Sequence, residues 1–181
     1  PESITDSTPS NFMENGKFVY DFATGEDGQT LYDTVQRNID ECKDKGAEYI
    51  VILSHLGDNS ESSPYTSLEL IQNTTGADVL LDGHSHSEIP CMILDDKDGN
   101  EVILSSTGTE LENIGQLVIT EEGTITVGLI SDYGKKDANI QSKIDAEYAV
   151  YEQMLKQKVA DTAFALSRYD SDGTRIVRNR E

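Results

Sequence analysis

A chain of 181 residues with 34 acidic side chains against 14 basic ones carries a formal charge of -20. A field of that sign repels phosphate polymers and anionic lipid, which argues against a nucleic-acid polymer or a charged membrane surface as partner. A phosphorylated ligand would need local positive charge, such as bound metal ions supply.

The length suffices for one good core, or for one domain and part of another. The longest apolar runs fall far short of the roughly 20 residues of a membrane span. Along the chain, "PESITDSTPSNFM" is rich in turn formers and reads as loop, and a short strand is predicted around Lys17 to Phe22. Leu31, Val35, Ile39 and Cys42 recur at helical spacing, and Gly46 in "DKG" supplies the stop of that helix. Cys42 falls on the apolar stripe, which predicts a buried thiol. Neither Cys42 nor Cys91 has a CxxC-type partner, so cysteine is a poor metal ligand here, and a disulfide between the two is the less favoured reading.

The short apolar run "EYIVIL" predicts a buried parallel strand. Ser63-Pro64 marks a helix start, with Pro64 at the first helical position and the helix running to about Asn73. "ADVLL" predicts a second buried strand ending at Gly83. Alternating strands and helices of this kind indicate an α/β layer. The character then changes to antiparallel β. "PCMILDDKDGNEVILSST" predicts a hairpin around Asp98-Gly99, and "IGQLVITEEGTITVGLIS" a second one. The acidic stretch "DDKDGN" is explained by the hairpin turn rather than by calcium. A long helix follows, with Ile140, Ile144, Tyr148, Tyr151, Leu155 and Val159 on one stripe that reads as core.

The three histidines carry the chemistry. His55 follows the strand "YIVIL", and His84 and His86 follow "DVLL" in "LLDGHSHSEIP". In an open α/β sheet, loops at the carboxyl ends of parallel strands gather at one edge, where ligands bind. Two such loops bring His55 close to His84 and His86, and Gly57 and Gly83 permit the turns this requires. The spacing leaves two metal readings open: His84 and His86 face two different ions, or all three imidazoles bind a single zinc. An ordinary role as polar loop residues stands beside both. Asp58 and Asp82 neighbour the histidines and read more readily as solvated or turn aspartates than as partners of an imidazole. Ser54 and Ser85 read as residues that shape the loops.

The run "YIVILSHLGD", then "ADVLLDGHSHSEIP", then "SSTGTELENIGQLVI" resembles the 5′-nucleotidase family of calcineurin-like metallophosphoesterases. A strand ending in S/T-H-x-G, a helix, and a strand ending in G-H-S/T-H/Q form that family's second metal-binding half. The resemblance implies an α/β (α+β sandwich) fold, the second half of a metallophosphoesterase sandwich with antiparallel hairpins and a linker helix. It implies residues 1–134 as that half, 135–161 as the linker helix, and 162–181 as the start of a C-terminal substrate-binding domain. His55 and His84 would be ligands of one ion and His86 of another, in a centre of two divalent ions (zinc, manganese or similar). The implied reaction is hydrolysis of nucleotide phosphate esters: 5′-nucleotides, 2′,3′-cyclic nucleotides or UDP-sugars.

The family's D-x-H, G-D and G-N-H-[DE] motifs do not occur in this sequence, and "PES" is similar to the segment that follows them. The chain, which opens on Pro1 and closes on "IVRNRE", is therefore expected to be an excised piece. Its implied partners are the N-terminal half and C-terminal domain of the same polypeptide, besides a nucleotide substrate. Alone it is expected to bind metal weakly or not at all and to be inactive. Resemblance also implies a bacterial protein that is extracellular, cell-wall-attached or periplasmic. The alternative is a non-catalytic binding or surface-display module with structural histidines.

Overall fold

The computed structural model describes residues 9–20, 22, 23, 25, 27–161, 163 and 171. It divides into two units, Pro1–Tyr133 and Gly134–Glu181. The expected start of a further domain at 162–181 and the first eight residues of the expected N-terminal loop lie outside the described residues, apart from Ala163 and Ser171.

The first unit is an α/β fold. A 3-10 turn, Pro9–Phe12, leads into a two-residue-per-strand hairpin, β1 (Met13–Glu14) and β2 (Lys17–Phe18). The strand expected at Lys17 to Phe22 is thus shorter and paired locally. Helix α1 spans Gln29–Asp44. Its end is closed at Gly46 by two bonds, from the Gly46 amide to the Lys43 carbonyl and from the Ala47 amide to the Cys42 carbonyl. This is the Schellman arrangement that satisfies the last orphan carbonyls. Tyr32 and Ile39 carry the buried face, whereas Cys42 is exposed and its thiol free, as is that of Cys91. The expected burial of Cys42 fails because the core contact fades over the last turn.

Strands β3 (Val51–Leu53), β4 (Val79–Asp82), β5 (Glu88–Asp95) and β6 (Glu101–Thr107) form one sheet in the order β3-β4-β6-β5. β4 runs parallel to both β3 and β6, and β5 pairs antiparallel with β6 through the predicted turn at Asp98-Gly99. The core lies under β4 and β6, where Leu80 and Leu104 are wholly buried against Leu70 and Ile71. β3 differs from its predicted burial. It is an edge strand of this sheet, with Ile52 packed on the core but Leu53 79% exposed. An apolar run states that both faces can be covered, not that both are.

Helix α2 covers only Ser67–Asn73. Pro64 precedes it instead of opening it, because the first turn is organised by a capping box. The Thr66 hydroxyl accepts from the Glu69 amide at 3.1 Å, and the Glu69 carboxylate accepts from the Thr66 amide at 3.2 Å. A second antiparallel hairpin, β7 (Ile114–Ile119) with β8 (Ile125–Ile130), forms as predicted.

In the second unit, helix α3 spans Ala138–Leu155 and is capped by Asp137, whose carboxylate accepts from the Asn139 and Ile140 amides at 2.9 and 3.0 Å. None of its residues is buried, so the stripe of Ile140, Ile144, Tyr148, Tyr151 and Leu155 is not core, and Val159 lies past the helix end. Periodicity identifies the apolar face of a helix but not what covers it. No helix among the described residues is long and apolar enough to cross a membrane.

Candidate metal centre

Parallel pairing of β3 and β4 places Leu53 opposite Leu81, so both strands end at the same edge of the sheet. The chain then turns into two loops, 54–58 after β3 and 83–87 after β4. The imidazoles of His55 and His84 meet across them, with ring centroids 5.1 Å apart and planes at 69°.

The loops interlock through paired features. A Cβ on Gly83 would stand 3.0 Å from His55 Nδ1, and one on Gly57 would stand 3.2 Å from His84 Cδ2. Each loop therefore supplies the bare backbone against which the other loop's ring rests. Two carboxylates cross in the same way. Asp82, at the end of β4, accepts from Ser54 Oγ at 2.6 Å, from the Leu56 amide at 2.9 Å and from the Gly57 amide at 3.0 Å. Asp58, on the first loop, accepts from the hydroxyl of Ser85 and from Ser87 Oγ at 2.7 Å on the second. The Asp58 amide donates to Ser85 Oγ at 3.2 Å. The Ser85 and Ser87 hydroxyls hold the Asp58 carboxyl below its ordinary range. From beneath, the buried Ser67 at the start of α2 donates both its amide and its hydroxyl to the Gly57 carbonyl, at 2.8 and 3.1 Å.

Asp58 and Asp82, both half-buried, are thus more than turn residues, and none of these bonds runs to an imidazole. The sequence carried a partial signal, since each segment places one aspartate and the opposite aspartate's serine partners within three residues of a histidine. Ser54 and Ser85 do shape the loops, by giving hydroxyl donors to the opposite carboxylates.

The backbone bearing the second and third histidines is strained. His84 has φ 83°, and the Ser85 amide reaches back to the Gly83 carbonyl at 3.2 Å. A three-residue bond around a positive φ is the rare, strained form of γ-turn. His86 has φ 57°. Left-handed backbone costs a side-chain-bearing residue roughly 1–2 kcal/mol, and two such residues separated by one collect where surrounding structure holds them, often at functional sites.

The structure brings His55 and His84 together but does not gather all three histidines. Among the described residues, no group of three or more His, Cys, Asp or Glu side chains could hold an ion. The His55–His84 pair has donor chemistry that suits a divalent ion. Two imidazoles on one tetrahedral ion, with Zn–N bonds of about 2.0–2.1 Å, place their ring centroids about 5 Å apart. An edge-to-face ring contact covers the same range, roughly 4.5–7 Å. Left-handed backbone and crossed hydrogen bonds surround this pair.

No family model matches the sequence, and no curated protein matches it. Among solved structures, the chain is similar to NAD nucleotidase from Haemophilus influenzae, with a TM-score of 0.51 at 16% identity over 81% of this chain. The chain spans 37% of the length of that protein. At such identity the likeness establishes a shared α/β fold.

Proposed function

We propose that this chain belongs to a metal-dependent phosphoesterase acting on nucleotide phosphate esters, and forms the half that supplies His55 and His84 to one divalent ion and His86 to a second. The observation that carries this reading is the pairing of His55 with His84 at 5.1 Å across two loops at the carboxyl edge of parallel strands. Fold likeness to a nucleotidase supports the substrate class. The charge of -20 is then consistent with a phosphorylated substrate, because the positive charge would come from the ions and not from side chains.

When bound, zinc or manganese would supply Lewis acidity toward a phosphoryl group. The residues of this chain have narrower tasks. His55 and His84 present imidazoles from opposite loops, and Gly57 and Gly83 let the rings approach. His86, exposed and with left-handed backbone, would offer its imidazole to the second ion. Further ligands would come from a preceding part of a longer polypeptide, and nucleotide recognition from a following domain. The same reading assigns residues 1–134 to the catalytic half and 135–161 to a linker, and it places the protein outside the cytoplasm of a bacterium.

The test is phosphate release from 5′-nucleotides, 2′,3′-cyclic nucleotides and UDP-sugars with added manganese or zinc. A polypeptide holding this chain with its flanking domains is expected to turn over at least one of these. His55→Ala and His84→Ala should each abolish that turnover, and the 181-residue chain alone should give none. Turnover that survives both substitutions would sink the proposal.

A further inference from the structure

We propose that Asp82 and Asp58 are positioning residues, a crossed carboxylate clamp that sets the His55–His84 spacing before any metal arrives; this rests on the metal reading above. Neither carboxylate is needed to close its own loop. Asp82 reaches back 25 to 28 residues in sequence, to Ser54, Leu56 and Gly57, and Asp58 reaches forward 27 to 29 residues, to Ser85 and Ser87. Both carboxylates therefore bond to the loop opposite their own.

The donors matter as much as the acceptors. Asp82 holds the amides of Leu56 and Gly57, the two residues that follow His55, with one oxygen each. A bidentate grip on consecutive amides fixes the orientation of that peptide, and hence the direction in which His55 leaves the backbone. Asp58 takes Ser85 and Ser87, which bracket His86 and follow His84 on the strained turn. The left-handed residues would relax toward ordinary backbone if the serines were released, because nothing in an L-residue favours that conformation. Metal sites depend on such supporting partners, whose loss costs about 10- to 100-fold in affinity. Here Asp58 and Asp82 act on the loops, through backbone amides and serine hydroxyls.

Zinc affinity of a polypeptide holding this chain with its flanking domains, read by competition with a chromophoric chelator, tests this alongside thermal unfolding in EDTA. Asp82→Asn keeps the shape but turns an amide toward donors, and Ser54→Ala and Ser85→Ala each remove one hydroxyl in case the aspartate variant folds poorly. The expected result is zinc binding weakened about 10- to 100-fold, with little change in the EDTA melting temperature, and affinity restored in Ser54→Thr. Wild-type affinity in Asp82→Asn and Ser54→Ala would overturn the clamp and leave the metal reading standing. A loss matched by Asp96→Ala, which strips the Asp98-Gly99 hairpin turn of its acceptor, would reduce the carboxylates to general stability and also overturn it. If that unmodified polypeptide binds zinc no better than its His55→Ala variant, the metal reading fails, and the clamp's role with it.

Discussion

The hairpin turn at Asp96 and the histidine loops are both organised by aspartate carboxylates, and they differ in what the carboxylate is given to hold. Asp96 is buried and accepts from the amides of Asp98, Asn100 and Gly76, from Thr75 Oγ1 and from Asn100 Nδ2, at 2.8 to 3.2 Å. Most of these bonds are local and close the turn that carries them. Asp82 and Asp58 spend their bonds on the opposite loop and leave the imidazoles of His55 and His86 exposed. A saturated carboxylate beneath a turn stabilises the fold. Carboxylates that bond across to the opposite loop fix the two loops to each other.

The largest expected effect on stability lies on the Asp96 side. Asp96→Ala would strip a buried set of donors of its acceptor and cost roughly 2–3 kcal/mol, measured by urea unfolding, while zinc affinity stays as it was. A drop in zinc affinity comparable to that of Asp82→Asn would erase the distinction between the two regions. Next comes Gly57→Ala. Its φ of 85° makes any side chain cost about 1–2 kcal/mol, and the added Cβ would press on the ring of His84. Both melting temperature and zinc affinity should fall, and a variant that melts lower yet binds zinc unchanged would count against the interlocked loops.

Acid sharpens the same contrast. Burial works to raise the Asp96 carboxyl, but the donors from Asn100, Thr75 and Gly76 prevail and hold it well below the ordinary carboxylate range. A carboxyl lowered on folding stabilises the protein above its unfolded value, and that contribution is lost as pH falls toward the folded one. Stability should therefore hold above about pH 5 and decline below about pH 4, with a shallower decline in Asp96→Asn. An identical slope in the variant would show that other groups govern acid unfolding. The smallest effect is Thr66→Ala, about 1 kcal/mol from the lost helix cap, read by urea unfolding.

The sequence made much of this visible because period and turn chemistry are local. Asp98-Gly99 and the "EEG" turn located both hairpins, and the run ending in Gly46 located the end of α1. The strand-end glycines located the histidine loops. Three things were missed for physical reasons. The start of α2 was misplaced because Pro64 is a permissive signal, whereas Thr66 and Glu69 actually satisfy the orphan amides. Burial of Leu53 and of the α3 stripe was overestimated, because an apolar pattern describes the segment and not its neighbours. The roles of Asp58 and Asp82 were missed because their partners lie 25 or more residues away, and only the fold brings them together.

The central claim is that His55 and His84 share one ion and His86 serves another. Cobalt(II) titration of the full chain, followed by its visible absorption and by the histidine ring proton signals, tests it most directly. The account predicts one weakly held ion that perturbs the His55 and His84 rings. Binding should be lost in His55→Ala and His84→Ala and retained in His86→Ala. Loss of the ion in His86→Ala to the same degree as in the other two, or binding that ignores all three substitutions, would contradict it.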